Sequence, residues 1–174
     1  MADLELVQDF VNSAGFEAER DDLLDARGLV RWLAVHRLVG AHARARERDA
    51  ADARAVREAL RELLRANNGI DVDEAAAAAT LDAAARRAGL TVRFDAGAVR
   101  LVPGARGVQG ALGGVLAAAA EAMADGSWQR LKACRADDCR WAFVDQARNH
   151  SRQWCDMRVC GNRQKARVFR ARHA

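Results

Sequence analysis

The 174-residue sequence contains no tyrosine and one proline, and aromatic residues make up only 5% of it. Apolar residues nevertheless account for 51%, and alanine is abundant among them. Alanine is the strongest helix former, whereas β-sandwiches depend on aromatic and β-branched side chains, so this composition favours a helical core. A chain of this length can bury one good hydrophobic core and carry a small additional unit.

The sequence also lacks the segments that direct a chain to a membrane or out of the cell. Its first ten residues are acidic and contain neither the cationic segment nor the apolar run of a secretory signal. The alanine-rich run at 115–124 ends at Asp125, well short of the roughly 20 apolar residues that a membrane-spanning helix needs. We therefore expect a cytoplasmic protein without a membrane span.

Hydrophobic periodicity predicts helices through most of residues 1–126, together with one β-hairpin, in an α+β fold. In the clearest helix, Glu58, Arg61 and Glu62 fit an ordinary solvated charge pattern beside an apolar stripe. Alternating residues on both sides of Gly97 predict the hairpin. The predicted helices cover 3–14, 26–39, 49–67 and 73–88, with a further one after the glycines at 104–114, and the predicted hairpin covers 91–102.

Charge divides the chain near residue 126. Residues 127–174 contain 12 Lys/Arg and 4 Asp/Glu, which leaves +8, whereas residues 1–126 contain 16 and 20, which leaves −4. Gly126 also interrupts the preceding helical pattern. We predict a mainly helical domain over 1–126 and a small C-terminal unit over 127–174, with Trp128 or Leu131 bridging the two.

All four cysteines lie in the last 41 residues, as two pairs with the same internal spacing separated by 15 residues. A tetrahedral thiolate site needs two ligands from each of two turns, and this spacing provides them. In a reducing compartment, clustered cysteines bind metal more often than they form disulfides. The sequence predicts a structural zinc site, to which His150 and His173 are surplus; its ligands are Cys134, Cys139, Cys155 and Cys160.

The segment between the two cysteine pairs predicts a second hairpin. Residues 141–145 alternate as a short strand, and Arg148 to Ser151 form a turn before the chain returns to Cys155. Four thiolates around a dication leave a charge of −2, which nearby donors must offset. The arginines close in sequence to the ligands are Arg135, Arg140, Arg152, Arg158 and Arg163.

The residues after Cys160 predict a basic helix. A ridge of three arginines at positions 163, 167 and 170 suits a row of phosphates, but it also suits the anionic thiolate cluster. Asn162 can read a base edge, but we expect it to cap the helix, and we expect Phe169 to pack against the zinc unit or the N-terminal part rather than stack on a base. The predicted nucleic-acid contacts are Arg148, Asn162, Arg163, Lys165, Arg167 and Arg170.

A polar cluster in the N-terminal part is the candidate for a small-molecule pocket. It consists of Asn12, Arg20 and Asp21, which also fit the simpler roles of helix caps and salt bridges. No phosphate-binding loop is present, because the glycines near 110 lack a Gly-Lys-Ser/Thr ending. No nucleophile with an activating partner is apparent, and zinc-bound cysteines are not free to react. We therefore do not expect an enzyme, although a catalytic N-terminal domain is the remaining alternative.

The C-terminal residues resemble a known family. The motif consists of Cys-x4-Cys-x-Trp-x-Phe-x-Asp from 134 to 145, Arg-Asn at 148, Trp-Cys-x-Met from 154 and Cys-Gly-Asn-Arg from 160. As a whole it resembles the CGNR zinc fingers, over about residues 131–172. Ala147 stands where a serine is expected. Residues 10–13, 29–33 and the predicted hairpin resemble ABATE, a domain of stress-induced transcriptional regulators that precedes such fingers.

This resemblance implies a bacterial regulator that binds zinc through the four cysteines and DNA through its basic end. A small-molecule effector or a protein partner would act on the N-terminal domain. The alternative is an interaction or assembly module in which the zinc unit is purely structural and the acidic domain docks a basic partner or a second copy. The sequence does not specify an oligomeric state.

Overall fold

The computed structural model describes residues 3–15, 19–40 and 42–173, which form six α-helices and three two-stranded antiparallel sheets. The predicted α+β class is confirmed. In chain order the elements are α1 (Leu4–Val11), β1 (Ala14–Gly15), β2 (Arg20–Asp21), α2 (Ala26–Val35), α3 (Glu47–Ala66), α4 (Glu74–Ala88), β3 (Leu90–Asp95), β4 (Ala98–Pro103), α5 (Gly107–Asp125), β5 (Leu131–Ala133), β6 (Ala142–Val144) and α6 (Asn162–Arg172). A 3-10 turn, Ser127–Arg130, precedes β5, and a π-helical turn, Met157–Gly161, precedes α6.

Local signals set most of the helix ends. The side chains of Asp25 and Asp73 accept hydrogen bonds from the backbone of the first turns of α2 and α4, so each satisfies a donor that the helix cannot. Gly89 ends α4 in the left-handed conformation, where a residue with a side chain would be strained. Capping and periodicity together therefore place these helices within a few residues of their predicted bounds.

One hydrophobic core extends across residue 126. Phe10 packs edge-to-face on Trp32, with ring centroids 5.3 Å apart, and both belong to the same buried cluster as Trp128, Leu131 and Ala142. Trp128 and Leu131 thus join the two parts, as predicted. The β5–β6 hairpin completes the core of the helical part, while the 126/127 boundary stays a prediction.

Helix α5 lies at the centre of this core. Its length and composition alone would let it cross a membrane, since an 18-residue window has a mean hydropathy of 1.2, but 56% of that window is buried inside the protein. It passes closely over α4 and β4, because a Cβ at Gly113 would lie 2.8 Å from the Cβ atoms of Ala88 and Pro103. The apolar stretch is longer than the predicted 115–124 run because the preceding glycines are helical too.

Helix α3 departs from the predicted charge pattern. The prediction that Arg61 is solvated is wrong, because its side chain is fully buried. Arg57, one turn earlier, is 4% exposed. An arginine can occupy a core position only when each of its donors finds an acceptor there, and periodicity alone does not show that those acceptors exist.

Candidate metal centre and basic helix

The first cysteine pair lies in the turn of the β5–β6 hairpin. Cys134 directly follows β5, and its backbone N–H donates to the carbonyl of Trp141 at 2.9 Å; Cys139 closes the turn by donating to the carbonyl of Ala136 at 2.9 Å. The prediction that strand 141–145 forms a hairpin with the chain returning to Cys155 is wrong, since Ala142–Val144 pairs with Leu131–Ala133. All three residues of β5 are buried, so it lacks the alternation that reveals a strand in a sequence.

The second cysteine pair completes a compact group of four sulfur atoms. The Sγ atoms of the four cysteines all lie within 4.8 Å of one another. Cys155 is central, with its Sγ 3.5 Å from that of Cys139 and 3.7 Å from that of Cys160. Cys134, Cys139 and Cys160 are buried, and Cys155 is half-buried.

The geometry of this cluster fits a tetrahedral zinc ion. Zinc–sulfur bonds of about 2.3 Å place tetrahedral sulfurs about 3.8 Å apart, close to the observed separations. The four sulfurs also compete for negative charge: hydrogen bonds from Cys139 and Cys155 lower the pKa of Cys134, while the same contacts raise the pKa of Cys139 and of Cys155. A bound dication would stabilise all four thiolates together. The four cysteines are therefore positioned to coordinate a structural zinc ion.

Of the arginines expected around the thiolates, Arg163 and Arg152 lie beside the cysteines, whereas Arg135 reaches toward α3. Arg163 points Nη2 at the Sγ of Cys160, 3.5 Å away. Arg152 lies over the ring of Phe143, 4.7 Å from its centroid, and donates to the backbone carbonyls of Trp154 and Cys155. Arg135 instead donates to the carbonyl of Asn68 at 2.8 Å, so it connects the metal unit to the end of α3.

A buried ion pair shapes the loop that carries Arg148. The Nζ of Lys132 donates to Asp145 at 2.8 Å and to the carbonyl of His150, and the carboxylate of Asp145 accepts from the backbone N–H of Ala147 and Arg152. Burial alone would raise the pKa of Asp145, but these donors outweigh it and hold that pKa below its ordinary value. Asp145 thus holds the backbone of this loop on both sides of Arg148, and the side chain of Arg148 itself is exposed.

The basic helix begins earlier than predicted. Asp156 accepts from the backbone N–H of Arg158 and Val159, and the π-helical turn continues into α6. The prediction that Asn162 caps the helix is therefore wrong: it lies inside a continuous helical segment, with its side chain in solvent. Gly161 permits the tight base of this segment, because a Cβ there would collide with Met157 and lie 3.2 Å from the ring of Trp154.

The predicted arginine ridge is turned toward the metal unit. Arg167 pairs with Asp138 at 2.8 Å and Arg163 with the same carboxylate at 3.5 Å. Phe169 does not pack against the metal unit or the helical part, since it is 63% exposed and stacks on His173 of its own helix at 4.2 Å. The prediction of a packed Phe169 is wrong. No residue of α6 is buried.

Two known family models match the two parts of the chain. The model of the ABATE family, described as "Putative stress-induced transcription regulator", matches residues 4–126. The chain belongs to the ABATE family. The CGNR zinc finger model matches residues 130–173, so the cysteine cluster and α6 form the finger that follows the ABATE domain. A search of curated proteins finds no match.

The three residues predicted to form a small-molecule pocket in the ABATE domain lie in two different places. Arg20 and Asp21 line an open groove of about 700 Å³ together with Arg54, Arg57 and Arg140. Asn12 is not among its lining residues. Its amide is buried and forms two hydrogen bonds with the backbone of Ala142 in the zinc finger, at 2.8 and 2.9 Å.

The groove is backed by a chain of charged residues that the sequence did not reveal, in which two buried arginines alternate with two partly buried carboxylates. Arg57 binds both carboxylate oxygens of Asp21, at 2.6 and 2.9 Å, and Glu58 bridges Arg57 and Arg61. Arg61 then donates to the carbonyls of Val11, at 2.7 Å, and Arg140, at 3.0 Å. Although burial would raise the pKa of Asp21, Arg57 holds it below its ordinary value. The ABATE domain is thus connected to the residue next to a zinc ligand.

Two asparagines at the end of α3 also hold the zinc finger. The amide of Asn67 donates to the carbonyls of Trp128 and Leu131, both at 2.9 Å, and the amide of Asn68 donates to those of Ala133 and Gln153, at 2.7 and 2.8 Å. From the sequence alone, Asn67 is the last residue of the predicted 49–67 helix and Asn68 is the residue after it. Two amides in succession are a usual turn signal, so nothing local distinguishes them from an ordinary cap.

Proposed function

We propose that this protein is a bacterial, cytoplasmic transcription regulator that binds DNA through its C-terminal zinc finger. One observation carries the proposal: from residue 157 to the end the chain contains six Lys/Arg and no Asp/Glu, and most of these residues lie on a helix anchored at its base by the cysteine cluster. Positive side chains on a firmly held helix suit the phosphate backbone of DNA.

In this proposal the metal has a structural role and the protein is not an enzyme. A zinc ion held by four protein thiolates keeps no position for water, so it supplies folding free energy and no reaction chemistry. The cysteines fix the π-helical turn, and through it the direction in which α6 leaves the finger.

The ABATE domain would act as the sensing part, for a small-molecule effector or a protein partner. Support comes from the open groove and the hydrogen-bonded chain behind it, which ends on the carbonyl of Arg140, next to Cys139. A ligand that displaced Arg57 or Asp21 would disturb contacts that reach the finger without touching it.

Zinc analysis combined with a salt-titrated DNA-binding assay on the full chain tests the proposal. We expect one zinc per chain and a logarithm of the binding constant that falls with the logarithm of salt at about 0.9 per phosphate neutralised. The same protein after zinc removal is the control, and it should lose this binding. Affinity that stays flat between low and moderate salt would contradict the proposal.

A second candidate, an assembly module, is favoured by the β3–β4 hairpin. Its register places Phe94 opposite Val99, and Phe94 is 82% exposed while Val99 and Val92 are 62% and 55% exposed. Exposed apolar residues clustered on one element are typical of interaction sites. Protein that retards no DNA but sediments as a stable oligomer, and becomes monomeric with Phe94→Ser, would favour this function.

A further inference from the structure

The charged residues of α6 fall on two different faces. At 3.6 residues per turn, the pair Arg163 and Arg167 is centred about 160° around the helix axis from a second group of residues. We call the first pair the inner face. The second, the outer face, consists of Asn162, Lys165, Phe169 and Arg172.

The inner face is already occupied by the protein's own groups. Asp138, in the turn between the first two cysteines, accepts from Arg167 at 2.8 Å and lies 3.5 Å from Arg163. Arg163 also points at the Sγ of Cys160. Phosphates would have to displace a carboxylate and approach an anionic thiolate cluster to reach these two guanidinium groups, both of which oppose binding.

The outer face is unobstructed and carries the chemistry for DNA. Lys165 and Arg172 form no ion pair with any residue of the described ranges 3–15, 19–40 and 42–173, and Asn162 is likewise exposed without a side-chain hydrogen bond there. Asparagine can bind adenine through two hydrogen bonds, and an aromatic ring such as Phe169 can contact a thymine methyl group. The 11 residues of α6 extend for about 16 Å, and a helix fits the major groove.

We infer that α6 binds duplex DNA in the major groove through its outer face, with Lys165 and Arg172 on phosphates and Asn162 and Phe169 toward the bases, while Arg163 and Arg167 serve to hold the helix on the zinc finger. This inference rests on the proposed function and specifies its surface. It reverses the sequence-based assignment, in which the ridge of Arg163, Arg167 and Arg170 meets the phosphates. Arg170 lies at the margin of the inner face and donates to the carbonyl of Ala166.

Two double variants of the full-length, zinc-loaded protein test which face of α6 binds DNA. Lys165→Ala/Arg172→Ala and Arg163→Ala/Arg167→Ala each remove two positive charges from the same helix, so they differ only in the face that is altered. Binding to a fluorescent DNA duplex is measured by anisotropy over a salt series, with a single-stranded RNA of equal length as the comparison. Zinc content and circular dichroism are recorded for each variant.

We expect the outer-face variant to reduce the salt slope by about 2 and the affinity by on the order of a hundredfold at 0.1 M salt, since each lost phosphate contact costs about tenfold there. The inner-face variant should change the affinity by only a few-fold while loosening α6. If it loses zinc, the single changes Lys165→Ala and Arg167→Ala make the same comparison.

The outcomes separate the two claims. A wild-type protein that binds neither duplex DNA nor RNA overturns the proposed function and the face together. An equal or larger loss in the inner-face variant overturns the face assignment alone, since DNA binding itself would stand. Tighter binding to the single-stranded RNA than to the DNA duplex would overturn the assignment of duplex DNA as the ligand.

Discussion

Replacing Arg61 with methionine is the sharpest test of how the two parts are joined. The side chain is fully buried on α3 and makes hydrogen bonds to Glu58, Val11 and Arg140. Methionine has a similar length and fills much of the same space, but it donates to none of these groups. The substitution therefore removes the contacts while leaving little empty volume.

The magnitude follows from what each partner loses. The buried carbonyl of Val11 and the partly buried carbonyl of Arg140 are left without this donor, at about 1–3 kcal/mol each, whereas Glu58 keeps Arg57. The two losses together amount to about 2–6 kcal/mol of the free energy of unfolding. Because methionine avoids the desolvation of a buried charge, we expect a net loss in the lower half of that range, about 3 kcal/mol. For a chain of this size that lowers the melting temperature by roughly 6–12 °C.

Arg65→Met is the matched control, one turn further along the same helix. Arg65 is half-buried and pairs with Glu62, whose side chain is 32% exposed, and it donates to no buried backbone carbonyl of the described residues, so its loss should cost about 1 kcal/mol. Urea unfolding followed by circular dichroism and tryptophan fluorescence gives both free energies. A difference between the two variants below about 1 kcal/mol would refute the reasoning, because it would mean that the junction does not depend on the buried guanidinium.

Three further predictions concern the zinc finger. Removing the metal with a chelator, or changing Cys160→Ser, should unfold the finger before the helical domain, seen as a change in fluorescence that precedes the loss of helical circular dichroism; simultaneous loss would contradict this order. Asp145→Asn should cost roughly 3 kcal/mol at neutral pH by leaving Lys132 buried without its charge partner. Because the folded pKa of Asp145 lies below the unfolded value of 3.8, its contribution is fully present above that pH and is lost as pH falls through the folded value, so the stability difference between the variant and the wild type should stay constant above pH 3.8 and shrink only below it. Asp138→Asn should increase amide hydrogen exchange in α6 while changing DNA affinity by only a few-fold; unchanged exchange would show that the carboxylate does not hold the helix.

Periodicity and spacing predicted the features that depend on local sequence. The helices were found from apolar stripes and capping residues, and the four cysteines from the ligand spacing that tetrahedral coordination requires. In each case the residues close in sequence determine the structure. The resemblance to the ABATE and CGNR families was confirmed over nearly the whole described chain.

Features that depend on distant partners were missed. Arg61 looked solvated because its acceptors, the carbonyls of Val11 and Arg140, lie 50 and 79 residues away. Strand β5 was not predicted, because a strand buried along its whole length has no alternation of apolar and polar residues. The ridge of α6 was placed correctly around the helix, but its orientation depends on Asp138, 29 residues from Arg167.

The amides of Asn12, Asn67 and Asn68 have a consequence for how this zinc finger could be inherited or engineered. These side chains saturate backbone groups of β5 and β6, and they are contributed entirely by the helical part. A fragment cut at residue 127 would present bare carbonyls and the apolar side of Leu131 to water. The finger is therefore not an independently transferable unit. In another protein it would need a host that offers three side-chain amides at the same positions.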